Sequence, residues 1–181
     1  MYYDVIMAGF GGQGIMLIGD ILAYAAMREE KRVTYMPTYG VEMRGGTANC
    51  TIMISDEEIG SPMTGHPYSA IVMNGPSMEK FQPRVRPGGF LLVNSSLIDG
   101  GMANRKDIDT LMLPTNDIAT ELGNAKMANM VALGGFIERT QVVEMESIKE
   151  SLPKVFAERY HKLIPQNIKA METGAQLARR G

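Results

Sequence analysis

The sequence has no tryptophan, two histidines and a single cysteine, Cys50. One thiol excludes an internal disulfide and cannot supply the four thiolates that an iron–sulfur cluster usually needs. His66 and His161 stand far apart without an H-E-x-x-H pattern, so no histidine-based metal site is expected. No apolar run approaches the roughly 18 residues that span a bilayer, and no export signal precedes the first apolar segment. We therefore expect a cytoplasmic protein without a membrane contact.

Size and charge narrow the class of protein further. The 181 residues fit one domain, residues 1–181, with enough apolar surface to fold without disulfides. The net charge of −2 and the absence of a long Lys/Arg block give no attraction to polyanions, so nucleic acid is not an expected ligand.

Apolar strand-like runs alternate with helical patterns along the chain. "YDVIMA" (3–8) precedes a helix that begins near Ile15, and "KRVTYM" predicts a second strand that Pro37 interrupts. Further strands are predicted at 47–55, 68–75 and in "FLLVN" and "IDTLMLP", followed by helices, the first with Thr115 or Asn116 as its N-cap. This alternation predicts a three-layer α/β fold: a mostly parallel sheet with helices on both faces and a Rossmann-like first βα unit.

The turn after the first strand, "GFGGQG", has the G-x-G-x-x-G spacing of a dinucleotide-binding turn. Gly9, Gly11, Gly12, Gln13 and Gly14 are the predicted cofactor-binding residues, because glycines leave backbone N–H groups at a helix start, where the dipole favours an anion. The acid that should follow the second strand and hold a ribose is missing, so NAD and FAD are disfavoured. Two alternatives stay open: a phosphate site, or glycines that only permit close packing.

A second segment, "PTYGVEMRGGTANC" (37–50), is too polar for a core and too rich in functional side chains for a simple turn. In an extended chain Glu42 and Arg44 point to the same side, where they would pair with each other or face one ligand. A surface salt bridge is the plainer alternative. The predicted substrate or subunit interface comprises Tyr39, Glu42, Met43, Arg44, Gly45, Gly46 and Thr47.

Several of these motifs together resemble the gamma subunit of 2-oxoacid:ferredoxin oxidoreductases. "GFGGQG", "YGVEMRGG", "ISDEEIGSP", "RPGGFLLVNSS" and "ATELGNAKMANMVALGGFIE" occur in that family's order, over nearly the whole chain. The 37–50 segment looks most like the branch for 2-oxoglutarate or branched-chain 2-oxoacids; the pyruvate and indolepyruvate branches are alternatives.

The resemblance implies a complex that converts a 2-oxoacid, CoA and oxidised ferredoxin into acyl-CoA, CO2 and reduced ferredoxin. Thiamine diphosphate, Mg and the iron–sulfur clusters would lie on the alpha and beta subunits and a ferredoxin-like subunit, and this chain alone would bind none of them and supply no catalytic residue. It would complete the assembly and form the CoA and substrate side of the active site, with the glycine turn at a CoA phosphate. A free nucleotide-binding domain and a scaffold without a ligand are the alternatives.

The cysteine, two asparagines and three basic residues each support a separate prediction. We expect Cys50 to be a buried, inert thiol. Asn124 and Asn129 are expected to make a cap and a hydrogen bond between helices rather than contact a ligand. Lys80, Arg84 and Arg86 form either a basic group that meets the CoA phosphates or a solvated face.

Overall fold

The computed structural model describes residues 1–39 and 47–180 and contains one six-stranded sheet. The strands are β1 (Tyr2–Phe10), β2 (Arg32–Tyr39), β3 (Thr47–Ser55), β4 (Ser69–Val72), β5 (Phe90–Asn94) and β6 (Asp109–Leu113), in the spatial order β2-β3-β1-β4-β5-β6. Strands β1, β4, β5 and β6 pair in parallel, whereas β3 runs antiparallel to both β1 and β2. The predicted α/β fold is confirmed, with a mixed sheet in which β3 separates β1 from β2.

Helices lie on both faces of this sheet, as predicted. They are α1 (Ile15–Arg28), α2 (Gly75–Phe81), α3 (Thr115–Glu121), α4 (Ala128–Thr140), α5 (Met145–Val155) and α6 (Ile164–Ala178). Helices α1, α4, α5 and α6 share one apolar core with one face of the sheet, and α2 packs on the opposite face. Within the described part of the chain, no helix combines the length and the apolar character that crossing a bilayer requires.

The two cores follow from the alternation of side chains along the strands. In β1, Val5 and Met7 join the core under α1 and α4, whereas Ile6 and Ala8 join the core under α2. All four are almost completely buried. A strand that is apolar on both faces is typical of a central strand in a covered sheet, and β1 occupies that position.

Two glycines allow α4 and α6 to pack with their backbones nearly in contact. A Cβ added at Gly134 would lie 2.6 Å from the Cα of Met171, and one added at Gly174 would lie 2.9 Å from the carbonyl carbon of Val131. Both distances are far below ordinary van der Waals contact. The apolar stripe predicted α4 as a buried helix, but it did not reveal the helix that packs against it.

The carboxylate of Glu29 joins the end of α1 to the start of α5. Its Oε1 accepts a hydrogen bond of 2.7 Å from the Glu144 N–H, and Lys31 Nζ lies 3.1 Å from Oε2. Burial raises the pKa of Glu29, but these hydrogen bonds and the Lys31 charge outweigh it, so the pKa lies below its usual value. Folding is therefore linked to the ionised carboxylate.

The predicted interruption of the second strand at Pro37 is wrong. Pro37 lies inside β2 and pairs with Cys50 of β3. Because β2 is the edge strand of the sheet, a residue without an N–H group is tolerated there.

The predicted N-cap of α3 is also wrong. The helix begins at Thr115, and Pro114 occupies the cap position without a side-chain hydrogen bond. The hydroxyl oxygen of Ser96, which follows β5, accepts hydrogen bonds from the N–H groups of Asn116 and Asp117, each at 3.1 Å. A residue distant in sequence thus replaces the local cap.

Candidate functional site

The two sequence motifs lie at the same end of the sheet, where the parallel strands have their carboxyl ends. Phe10, at the end of β1, pairs with Thr47, and Tyr39, at the end of β2, pairs with Ala48. The glycine turn therefore lies beside both ends of the 40–46 segment. This is the edge where open α/β sheets bind ligands.

The predicted interface residues are only partly placed by the structure. Tyr39 is 70% exposed and Thr47 is half-buried. Glu42, Met43, Arg44, Gly45 and Gly46 lie outside the described residues. Their role stays a prediction, and so does the pairing of Glu42 with Arg44.

The turn leads into α1 through two glycines in the left-handed region, Gly12 at φ +92° and Gly14 at φ +71°. Gly14 is the N-cap residue, and the first turn of α1 contains no acidic residue. Among the residues that the structure describes, the backbone N–H groups of Ile15, Met16 and Leu17 have no acceptor. Three unpartnered donors at the positive end of a helix dipole are suited to an anion.

Gln13 ties the turn to the neighbouring strand. Its Oε1 accepts a hydrogen bond of 2.6 Å from the Phe10 N–H, and its Nε2 donates to the carbonyl oxygen of Met73, just after β4, at 3.3 Å. A Cβ at Gly9 would lie 2.5 Å from the same Oε1. Gly9 therefore makes room for the Gln13 side chain, and Gln13 holds the shape of the turn.

Asn129, at the start of α4, holds the other side of the turn. Its Nδ2 donates to the carbonyl oxygen of Gly14 at 3.1 Å, and its Oδ1 accepts from the Met130 N–H at 2.9 Å. A side chain at Gly14 would collide with this amide. By contrast, Gly11 and Gly12 are exposed, and a Cβ at Gly12 would meet nothing within 4 Å. Packing thus explains glycine at 9 and 14, and Gly11 and Gly12 remain open to solvent.

Further amides cross-link the same edge, and the sequence reasoning missed them. Asn94 Nδ2 donates to the carbonyl oxygen of Met73 at 3.2 Å and to Asn116 Oδ1 at 2.7 Å. Asn74 Oδ1 accepts from the Ser77 N–H at 2.8 Å and so caps α2. An asparagine at the end of two successive apolar runs, in "VMNGP" and "LLVNSS", is the sequence signal that could have identified them.

Cys50 has the character that the sequence predicted. It is fully buried, its Sγ lies 3.8 Å from the carbonyl oxygen of Ile15, and burial raises its thiol pKa to about 12. A single protonated thiol does not fit the ligand set of an iron–sulfur cluster. Within residues 1–39 and 47–180, no three His, Cys, Asp or Glu side chains are grouped as metal ligands.

The three basic residues do not form one group. Lys80 and Arg84 lie over the Phe81 ring, 5.2 and 5.4 Å from its centroid. Arg86 instead makes an ion pair of 3.2 Å with Asp4. Asp4 lies near the start of β1, at the opposite end of the strands from the glycine turn. Of the two alternatives, one basic group formed by all three residues is therefore wrong.

Asn124 makes the predicted cap. Its Oδ1 accepts from the Lys126 N–H at 3.1 Å, at the start of the short 3-10 helix Ala125–Met127. The 3-10 helix leads directly into α4, so this cap helps to position Asn129 against the glycine turn.

Comparison with known proteins identifies relatives that all belong to one family of oxidoreductases. Residues 4–177 match the family of pyruvate ferredoxin/flavodoxin oxidoreductases. Ketoisovalerate oxidoreductase subunit VorA of Methanothermobacter thermautotrophicus is 36% identical over 97% of the chain, which spans 36% of VorA. The 2-oxoglutarate synthase subunit KorC of Methanocaldococcus jannaschii is 30% identical over 99% of the chain and 95% of KorC. The chain thus corresponds to about a third of VorA and to nearly all of KorC.

A solved structure agrees with these relatives. The gamma subunit of a keto/oxoacid ferredoxin oxidoreductase from Geobacter sulfurreducens superimposes with a TM-score of 0.83 at 28% identity, over 99% of both chains. The family match, the full-length relative and the shared fold all point to one assignment. The chain belongs to the pyruvate ferredoxin/flavodoxin oxidoreductase family, in which its similarity is to gamma subunits of 2-oxoacid oxidoreductases.

Proposed function

We propose that this chain is the gamma subunit of a multi-subunit 2-oxoacid:ferredoxin oxidoreductase. The complex converts a 2-oxoacid, CoA and oxidised ferredoxin into acyl-CoA, CO2 and reduced ferredoxin. The observation that carries the proposal is the match with KorC, which extends over nearly the full length of both chains. In KorC a similar sequence makes up nearly the whole chain, and in VorA it forms part of a longer chain.

The substrate is a 2-oxoacid of the 2-oxoisovalerate or 2-oxoglutarate class. Relatives named for ketoisovalerate and for 2-oxoglutarate support both acids. The pyruvate and indolepyruvate branches remain the alternatives, and a relative from Thermococcus kodakarensis is named as a subunit common to pyruvate and ketoisovalerate enzymes.

The alpha, beta and ferredoxin-like subunits hold thiamine diphosphate, Mg and the iron–sulfur clusters, and ferredoxin accepts the electrons. Thiamine diphosphate supplies the stabilised carbanion that decarboxylation requires. This chain contributes the edge of the sheet that carries the glycine turn and both ends of the 40–46 segment. Tyr39, Thr47 and the intervening residues face a partner subunit, and Arg44 binds a carboxylate or phosphate with its two-pronged guanidinium.

The glycine turn binds a phosphate of CoA through the N–H groups at the start of α1. The three unpartnered donors and the absence of an acidic residue in the first turn support this assignment. Gln13 and Asn129 keep these donors in place by anchoring the turn to β4 and α4.

Co-purification tests the subunit assignment. The tagged chain, co-expressed with the chains encoded beside it, should retain a complex that reduces a viologen dye only when a 2-oxoacid and CoA are both present. A panel of 2-oxoglutarate, 2-oxoisovalerate, pyruvate and indolepyruvate then identifies the substrate. A monomer that binds a nucleotide and no partner chain would refute the assignment and support a free nucleotide-binding domain.

A charge placed in the turn tests the CoA site. Gly12→Asp puts a carboxylate into open space beside the donors. Gly88→Asp is the matched control, because Gly88 also has a positive φ, +76°, and a Cβ there also meets nothing within 4 Å. Because a nearby like charge repels phosphate, we expect Gly12→Asp to raise the KM for CoA about tenfold or more, with the KM for the 2-oxoacid unchanged. An unchanged KM in an intact complex would leave the turn a purely structural element.

A further inference from the structure

In the part of the chain that the structure describes, α2 is the helix on its face of the sheet, and it does not reach the strand β2. Helix α2 packs on residues of β1, β4 and β5, and the core that it forms includes no residue of β2 or β3. The pairing register shows what lies on that remaining part of the face. Thr51 of β3 stands between Ile6 and Met36, and Asn49 stands between Ala8 and Thr38.

Directly opposite residues in a sheet point to the same face, so these side chains continue the face of Ile6 and Ala8. On this face β2 and β3 present the polar side chains of Thr38, Asn49 and Thr51 together with the apolar side chains of Met36 and Met53. Met53 is completely buried, and the polar side chains lie nearer the carboxyl end of β2.

These residues form the floor of a cleft of about 250 Å³, which we call the threonine cleft. Its floor comprises Met36, Thr38, Asn49 and Thr51, and its rim carries Lys80 and Arg84. Residues 62–64, in the connection before β4, form the opposite wall. The cleft lies on the other side of the sheet from α1.

The charges of the threonine cleft have one sign. Its described lining includes two cationic side chains and no carboxylate. Lys80 makes no ion pair with any residue of the described ranges. Arg84 donates from Nε and Nη2 to the carbonyl oxygens of Gly65 at 3.2 Å and Thr64 at 3.0 Å, which fixes its guanidinium and leaves Nη1 available.

The floor supplies hydrogen-bonding groups that the described fold does not use. Asn49 is 9% exposed, and its side-chain amide makes no hydrogen bond to another residue of the ranges 1–39 and 47–180. The amide lines the cleft, so it is free to bond a molecule that enters there. Thr38 of β2 pairs with Asn49, and Thr51 lies two residues further along β3 on the same face.

We propose that the threonine cleft binds a small anion through its phosphate or carboxylate group. Lys80 and Arg84 supply the charge, and the Asn49 amide and the two hydroxyls donate hydrogen bonds to the oxygens. The cleft has room for roughly eight waters of about 30 Å³ each, which matches an anion of a few carbons. This site is separate from the glycine turn and does not depend on the proposed function.

Titration of the isotope-labelled full chain tests the proposal, with inorganic phosphate in one arm and acetate in the other. Amide chemical shifts of Asn49 and Thr51 should move saturably in at least one arm, and the arm that binds more tightly identifies the anion class. Lys80→Gln should weaken binding about tenfold or more, since it removes a charge-assisted contact, and Lys80→Arg should restore most of it. Thr51→Val should weaken binding less, about threefold to tenfold, because a neutral hydrogen bond is weaker.

The matched control is Lys169→Gln, which removes an exposed lysine of α6 and should leave the affinity unchanged. Equal effects of Lys80→Gln and Lys169→Gln would overturn the proposal, because general charge attraction would then explain the binding. The absence of saturable shifts in both arms up to about 50 mM would overturn it as well, since Kd values above this range mean less than about 2 kcal/mol of binding.

Discussion

Gly14→Ala is the most informative single change, because the structure separates its two costs. The first cost is backbone strain: φ is +71°, and an L-residue in the left-handed region loses about 1–2 kcal/mol. The second cost is steric. The new Cβ would lie 2.9 Å from Cγ of Asn129 and would collide with its Nδ2. Asn129 must then turn away and lose its hydrogen bond to the Gly14 carbonyl oxygen, at about 1 kcal/mol.

The expected loss in the free energy of unfolding is therefore about 2–3 kcal/mol, the sum of strain and lost contact. For a chain of this length, that corresponds to a decrease in Tm of about 4–12 °C. Urea unfolding followed by circular dichroism measures the loss directly, provided that the m-value stays constant.

Two matched variants test the reasoning. Gly12→Ala carries the same kind of strain at φ +92° but meets nothing within 4 Å, so it should cost about 1–2 kcal/mol without the steric part. In an Asn129→Ala background, Gly14→Ala should cost about 1 kcal/mol less than in the natural sequence, because the collision is gone. Strict additivity within about 0.3 kcal/mol would refute the contact between Asn129 and Gly14.

Three further predictions concern packing, thiol reactivity and pH. Gly134→Ala forces α6 away from α4, because its Cβ would lie 2.6 Å from the Cα of Met171. We expect the free energy of unfolding, measured in urea, to fall by about 1–3 kcal/mol. Gly75→Ala is the near-neutral control, because a Cβ at Gly75 meets nothing within 4 Å. Cys50 is buried and its thiol pKa is raised to about 12, so it should not react with a disulfide reagent near pH 8 in the folded chain. In urea it should react fully. Rapid labelling of the native chain would contradict its burial. Folding lowers the pKa of the Glu29 carboxyl, so its contribution to stability is present above its unfolded pKa and is lost as the pH falls through the folded value. Glu29→Gln should therefore flatten the decline in the free energy of unfolding between about pH 6 and pH 3. A slope equal to that of the natural chain would refute the linkage.

Local patterns in the sequence were enough to predict the strands, the helices and the glycine turn. Alternation of apolar runs reports burial, and the glycines at 12 and 14 report a backbone with positive φ, because each of these signals depends on neighbours in sequence. The resemblance based on five motifs also led to the correct family, since those motifs extend along nearly the whole chain.

The sequence did not reveal where β2 lies. Pro37 normally interrupts a strand, and it is tolerated here because β3 inserts between β1 and β2 and leaves β2 at the edge. The start of α3 likewise depends on Ser96, a residue about 20 positions earlier in the chain that becomes a neighbour through the pairing of β5 with β6.

The sequence by itself thus determined the elements, the glycine turn and the family of this protein. Tertiary structure decided which residues hold that turn, how closely α4 and α6 approach, and that threonines of two strands line one cleft with Lys80. The physical reason is that backbone preferences act between near neighbours in the chain. Hydrogen bonds from Gln13 to Met73 and from Asn129 to Gly14 join residues 60 and 115 positions apart, and they form only when the sheet order brings those residues together.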